Sequence, residues 1–165
     1  MTATAGRARG KAAVTTSALM SIISRVVPGV GRVHAQVLPF AQAWREANAA
    51  ALVLEGPLWV ALGDSMTQGI GAAGISGGWV GQLAAQLPAM RLVNLSVTGA
   101  RVHDVLTDQL PRMRDLGVRP DLITVLIGAN DMLTRGRRVP AVGQFAALLD
   151  AIGDYDAAWI RYDAT

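Results

Sequence analysis

The sequence predicts an α/β protein, a parallel β-sheet lying between two layers of helices. Three observations carry this prediction. Short apolar runs alternate with helical periodicity from about residue 57 to 152. The run Leu122 to Ile127 is apolar without a break, which suits a parallel strand covered on both faces. Three polar, glycine-containing segments each follow an apolar run, at the strand-end edge where such sheets hold ligands.

The elements follow in order. Residues 1–18 are rich in Ala, Thr and Arg and read as a disordered basic arm. Val37, Phe40, Ala41, Trp44, Ala47, Asn48 and Ala51 recur at helical spacing and predict a helix over 36–54, with Pro39 in its first turn. This helix belongs to an N-terminal extension over 19–56 that packs by its Phe40/Trp44 face, and Gly56-Pro57 ends it. A strand over 58–62 follows. A Gly-rich loop, 69–78, leads to a helix over 78–87 with Trp79, Val80, Leu83, Ala84 and Leu87 on one face, stopped by Pro88. Arg91 to Asn94 is a second strand, and 101–115 a helix. Pro120-Asp121 precedes the third strand, 122–127. Pro140 starts a last helix with Val142, Phe145, Leu148, Leu149 and Ile152 at core spacing. The domain thus runs over 57–153. The tail, 154–165, concentrates acids and aromatics and resembles neither a buried strand nor a helix, so the third strand is expected as an exposed apolar edge.

Composition narrows the function. A chain of 165 residues with 52% hydrophobic residues supports one domain with a substantial core. Cysteine is absent, which excludes disulfides and thiolate metal sites, and the two histidines, His34 and His103, are far apart, so a zinc site is not expected. The net charge of +3 is uneven, with Arg7, Arg9, Lys11, Arg25, Arg32 and Arg45 crowding the first 45 residues. No nucleic-acid motif accompanies them, so nucleic acid is not an expected partner; a weak contact of the basic arm with an anionic membrane stays open. Thr15, Thr16, Ser17, Ser21 and Arg25 interrupt what would be a signal-peptide core, and no stretch is apolar enough to span a membrane. A cytoplasmic location is expected, with export or membrane association as the alternative.

The strand-end segments hold the chemistry. In Trp59 to Gly69 the apolar run stops at Gly63-Asp64-Ser65, a tight turn that lifts a serine hydroxyl above the sheet. Ser65 is a candidate nucleophile or, more plainly, a helix cap. Gly99 lets its N–H approach a ligand closely or is simply a turn glycine. Asn130 offers a neutral amide donor or makes a local turn. Gly69-Ile-Gly71-Ala-Ala-Gly74 matches a dinucleotide fingerprint in letters, but it neither begins at the strand end nor opens a helix. A loop bordering the Ser65 pocket fits it better.

Together the words GDSxTxG (Gly63 to Gly69), NxSxxGA (Asn94 to Ala100) and GANDM (Gly128 to Met132) resemble the first three sequence blocks of the GDSL family, or SGNH hydrolases. The resemblance runs from about residue 57 to 152. It implies a three-layer flavodoxin-like sheet and cofactor-free hydrolysis of a small-molecule ester through an acyl-enzyme. It implies Ser65 as nucleophile, and an oxyanion hole of the Ser65 and Gly99 N–H groups with the Asn130 side chain. Asp64 and Asp131, also in the motifs, would shape turns. The family's fourth block, D-x-x-H, supplies the base, and no histidine follows His103 here. Asp156-Ala-Ala-Trp159 has that spacing with tryptophan in the histidine's place, but follows Asn130 too closely. The expectation is a hydrolase truncated before that block, its sheet incomplete at the C-terminal edge, its reading frame lost near residue 153 and its activity impaired. The alternative is a non-catalytic remnant that binds acyl or sugar ligands; a membrane-associating module using the basic arm is the third class.

Overall fold

The computed structural model describes residues 28–133, 136, 138–153, 155 and 157–159. The basic arm over 1–18, with Arg7, Arg9 and Lys11, lies outside the described residues. The chain divides into two compact units, 1–36 and 37–165. The first is described only over 28–36, the opening turns of helix α1 (Pro28–Leu52).

Helix α1 starts eight residues before the predicted 36, which puts Pro39 inside the helix rather than in its first turn. Pro28, Gly29 and Gly31 are poor helix formers, so local propensity conceals this beginning. The expected packing face holds: Phe40 and Trp44 are buried, at 7% and 6% exposure.

Strand β1 (Leu58–Gly63) is buried at all six positions. Its side chains alternate between two clusters, as the two-residue period of a strand requires. Trp59 and Ala61 join Trp44, Val80 and the half-buried Trp79; the Trp59 and Trp79 ring centroids are 6.4 Å apart. Leu58, Val60 and Leu62 join an aliphatic cluster that includes Val105, Leu110, Met113, Leu148 and Ile152. Helices α1 and α3 (Trp79–Gln86) therefore cover one face. The other lies under α4, a continuous helical stretch of three segments (Val102–Asp104, Val105–Gln109, Leu110–Arg114), and α6 (Arg138–Ile152). The middle segment of α4 is a π-helix, which the sequence reading of a plain helix over 101–115 did not anticipate.

All pairings are parallel, and the strand order is β2-β1-β3-β4, with β2 at Arg91–Asn94, β3 at Leu122–Leu126 and β4 at Ala157–Trp159. Val60 stands opposite both Val93 and Ile123. The order 2-1-3-4 is the flavodoxin-like one, and its switch point lies between β1 and β3. Two expectations need correction here. The third strand is not an exposed edge, because Ile123, Thr124 and Val125 pair with Ala157, Ala158 and Trp159. The tail accordingly supplies a parallel strand. Three residues are too few to form an apolar run, and pairing is made by backbone groups that composition does not report.

Helix α6 corrects a third. Leu148 and Ile152 are buried and Phe145 partly so, but Val142 and Leu149 are exposed, at 73% and 43%. The buried line runs through Ala141, Phe145, Leu148 and Ile152, a narrow seam at spacings of four, three and four. Val142 and Leu149 flank it.

Candidate active site

Strand β1 delivers Gly63-Asp64-Ser65 to the carboxyl edge of the sheet. The helix cap there is Asp64 rather than Ser65. Its Oδ1 accepts the Met66 N–H at 2.9 Å and starts the one-turn helix α2 (Ser65–Gln68). Capping therefore does not occupy Ser65, which stands half-buried at the first helical position.

The second segment follows β2 and is stitched to the first by buried amides. Asn94 Nδ2 donates to the Thr67 carbonyl at 3.0 Å, and Gln68 Nε2 donates to the Ser96 carbonyl at 3.0 Å. Asn94 Oδ1 also accepts the Ser96 N–H, and Trp44 Nε1 donates to the Gln68 carbonyl at 2.9 Å. Gly99 lies exposed in the loop with φ +82°. A Cβ there would meet nothing within 4 Å, so backbone conformation, not crowding, favours glycine.

The third segment is the short helix α5 (Ala129–Met132) at the end of β3. Asn130 Nδ2 donates to the Ala100 carbonyl at 2.8 Å and approaches Asp64 Oδ2 at 3.4 Å. One side chain thus reaches both other segments. The buried Asp131 accepts the Val102 N–H through Oδ2 at 3.1 Å, which fixes the N-terminus of α4. Burial pushes the Asp64 carboxyl above the usual carboxylate range; the Met66 N–H opposes the rise, and the neighbouring Asp131 charge adds to it.

The Gly-rich loop is a turn rather than a phosphate cradle. A Cβ on Gly78 would lie 2.7 Å from the Gly69 Cα, so its chain ends touch, and α3 begins only at Trp79. His103 and His34 are both exposed. Beside the third segment opens an apolar cavity of about 380 Å³, lined in part by Val102, Ile127, Gly128, Asp131, Phe145 and Leu149. Among the described residues no group of three His, Cys, Asp or Glu could hold a metal ion, and no helix is long and apolar enough to cross a membrane.

Sequence reasoning missed several residues that build this edge. Asn94 and Gln68 stand inside the quoted motif words, which were the signal available for them. Gln109 had none beyond being a polar position in a helix, and Asn48 only its place among the residues at helical spacing in the first helix. Gln109, fully buried, binds both backbone groups of Gly63.

Comparison with known proteins finds one matching family. The model of the GDSL-like lipase/acylhydrolase family matches residues 61–161. Similar solved structures include an extracellular lipase from Streptomyces rimosus, 23% identical, with a TM-score of 0.49 over 63% of this chain and 58% of that one. An acetyl xylan esterase, AlAXEase, is 17% identical, with a TM-score of 0.48 over 62% of this chain and 56% of that one. The esterase EstA from Pseudoalteromonas sp. is 25% identical, with a TM-score of 0.48 over 62% of this chain and 57% of that one. The chain therefore spans 56–58% of the length of these structures. No curated protein matches it significantly.

Proposed function

We propose a function from one premise, that this chain belongs to the GDSL-like lipase/acylhydrolase family. It is an ester hydrolase with Ser65 as nucleophile, acting on esters with an apolar acyl group. The observation that carries this reading is the reach of Asn130, whose amide bonds Ala100 beside Gly99 and approaches Asp64 beside Ser65. Acyl transfer needs a nucleophile and oxyanion donors gathered at one point.

In this reading Ser65 Oγ adds to the ester carbonyl carbon, and the carbonyl π pair moves onto oxygen. The Ser65 and Gly99 N–H groups and Asn130 Nδ2 donate to that oxyanion. Asn130 exchanges the Asp64 approach, long at 3.4 Å, for the charged oxygen and keeps its 2.8 Å bond to Ala100. Collapse breaks the ester C–O bond and the alcohol leaves with a proton. Water then adds to the acyl-serine carbonyl, collapse breaks the bond from that carbon to Ser65 Oγ, and the carboxylic acid leaves as a proton from the water returns to Ser65. Asp64 and Asp131 hold the turns rather than react. The cavity beside Gly128 and Asp131 suits an apolar acyl chain.

The proton of Ser65 needs an acceptor. The family's D-x-x-H histidine has no counterpart in this sequence, whose histidines are His34 and His103. A serine hydrolase lacking one triad member retains roughly 10³–10⁴-fold catalysis over water from its oxyanion hole and binding. Ser65-dependent turnover without a base is expected at that residual level. The test is hydrolysis of p-nitrophenyl acetate and octanoate by the wild type and Ser65→Ala. Equal rates in a folded pair sink the hydrolase reading. Saturable octanoate binding without turnover would instead support a ligand-binding remnant.

A further inference from the structure

Gln109 is a wholly buried amide in the π segment of α4, the helix that contributes Val105, Leu110 and Met113 to the aliphatic cluster. A polar group there is costly unless both its donor and its acceptor are satisfied. They are satisfied by a single residue. Gln109 Oε1 accepts the Gly63 N–H at 2.8 Å, and Gln109 Nε2 donates to the Gly63 carbonyl at 2.8 Å.

Gly63 is the last residue of β1 and immediately precedes Asp64-Ser65. Its φ is +149°, and a Cβ would lie 2.3 Å from both the Leu126 carbonyl oxygen and Thr67 Oγ1. The turn thus relies on a residue with little conformational preference of its own. On one side, β2 has already ended, its last pair being Asn94 with Ala61. The Val97 N–H, from the chain beyond β2, still donates to the Gly63 carbonyl at 3.1 Å. The Gln109 carboxamide adds a second donor to that carbonyl and supplies the acceptor for the Gly63 N–H.

The same helix is held at its other end. Asp131 binds the Val102 N–H at 3.1 Å, next in sequence to Asn130. Helix α4 therefore connects the Ser65 turn, through Gln109, with the Asn130 turn, through Val102. Its π geometry, with the Leu110 N–H bonded to the Val105 carbonyl, falls at this attachment. Such bulges recur at functional sites.

We propose that Gln109 is the positioning residue of the nucleophile turn: its carboxamide, pairing with Gly63, fixes the Gly63-Asp64-Ser65 backbone and so the direction of the Ser65 N–H. Only its catalytic consequence rests on the hydrolase reading above.

The test compares Gln109→Met, which fills similar volume without the polar pair, with Gln109→Glu. A buried carboxyl titrates above its usual range, and in its protonated form it presents one acceptor and one donor, as the amide does. Backbone amide exchange is followed by NMR in the full chain at about pH 5 and about pH 8, with the wild type at both pH values to account for Asp64. Gln109→Met should speed exchange at Gly63 at least about tenfold relative to the rest of β1. Gln109→Glu should resemble the wild type at the lower pH and Gln109→Met at the higher. Ester hydrolysis should lose about 10- to 100-fold in kcat in Gln109→Met, with KM within about twofold.

Unchanged exchange at Gly63 in Gln109→Met overturns the proposal. So does a Gln109→Glu protein whose exchange at Gly63 does not differ between the two pH values beyond the wild type. If Gln109→Met does not fold, the pH contrast in Gln109→Glu decides alone. If the wild type shows no Ser65-dependent turnover, the hydrolase reading falls while the exchange result still judges Gln109.

Discussion

Asn48 of helix α1 and Asn94 of strand β2 bind each other twice: Asn48 Nδ2 donates to the Asn94 carbonyl at 2.8 Å, and the Asn94 N–H donates to Asn48 Oδ1 at 2.8 Å. A side-chain amide outside the family-matched segment thus completes the end of an outer strand. The Asn94 side chain is thereby free to hold Thr67 and Ser96. Replacing Asn48 by Leu removes both bonds and leaves the Asn94 backbone groups unsatisfied. A loss of about 1–3 kcal/mol is expected, read as a lower urea midpoint with unchanged slope.

Asn130→Ala removes the amide that reaches both other segments. For an oxyanion donor, kcat should fall about 10²–10³-fold, or about 2.7–4 kcal/mol of transition-state stabilisation. Parallel assays with Ser65→Ala set the floor. A rate unchanged from the wild type would remove Asn130 from the reaction.

Asp64 sets a pH dependence of stability. Its carboxyl titrates higher in the folded chain than in the unfolded one, chiefly because it is buried. Between those two values the folded state binds more protons, so its stability falls as pH rises, then levels off above the folded value. Thermal melts of wild type and Asp64→Asn from about pH 3 to about pH 7 should show this as a difference that declines with pH. A difference that grows with pH would mean the carboxyl is depressed instead.

The apolar cavity predicts chain-length selectivity. Ala146 lines it and is exposed, so Ala146→Trp fills space without disturbing the core. Hydrolysis of p-nitrophenyl octanoate relative to acetate should fall about 10-fold or more, within the range that apolar pocket contacts supply. The melting temperature should stay near that of the wild type. Equal loss on both esters would mean that the acyl chain lies elsewhere.

How much was legible depended on whether the information was local. Strands β1 and β3 were readable because each is an apolar run bounded by Pro and Gly, and β2 because Leu92-Val93 stands between Pro88 and Asn94. The three motif words fall at or just past the ends of β1, β2 and β3, at the carboxyl edge of the sheet. The pairing of Gln109 with Gly63 spans 46 positions, and nothing near Gln109 announces its partner. Asn48 and Asn94 pose the same problem across another 46 positions. The π segment changes hydrogen-bond spacing without changing apolar periodicity enough to be seen. Strand β4 is too short to print a pattern. In α6, apolar residues also occupy the flanks of the buried seam, so periodicity overestimated its width.

The alternation along β1 has a spectroscopic consequence. Trp44, Trp59 and Trp79 all belong to the layer formed with α1 and α3, while the opposite layer is aliphatic apart from Phe145 and Tyr155. With the fourth tryptophan, Trp159 of β4, replaced by Phe, emission from these three indoles reports chiefly on one side of the sheet, and loosening of α4 or α6 alone would barely dim it. With Trp59 and Trp79 only 6.4 Å apart, excitation passes between them, and depolarisation of that light senses their separation.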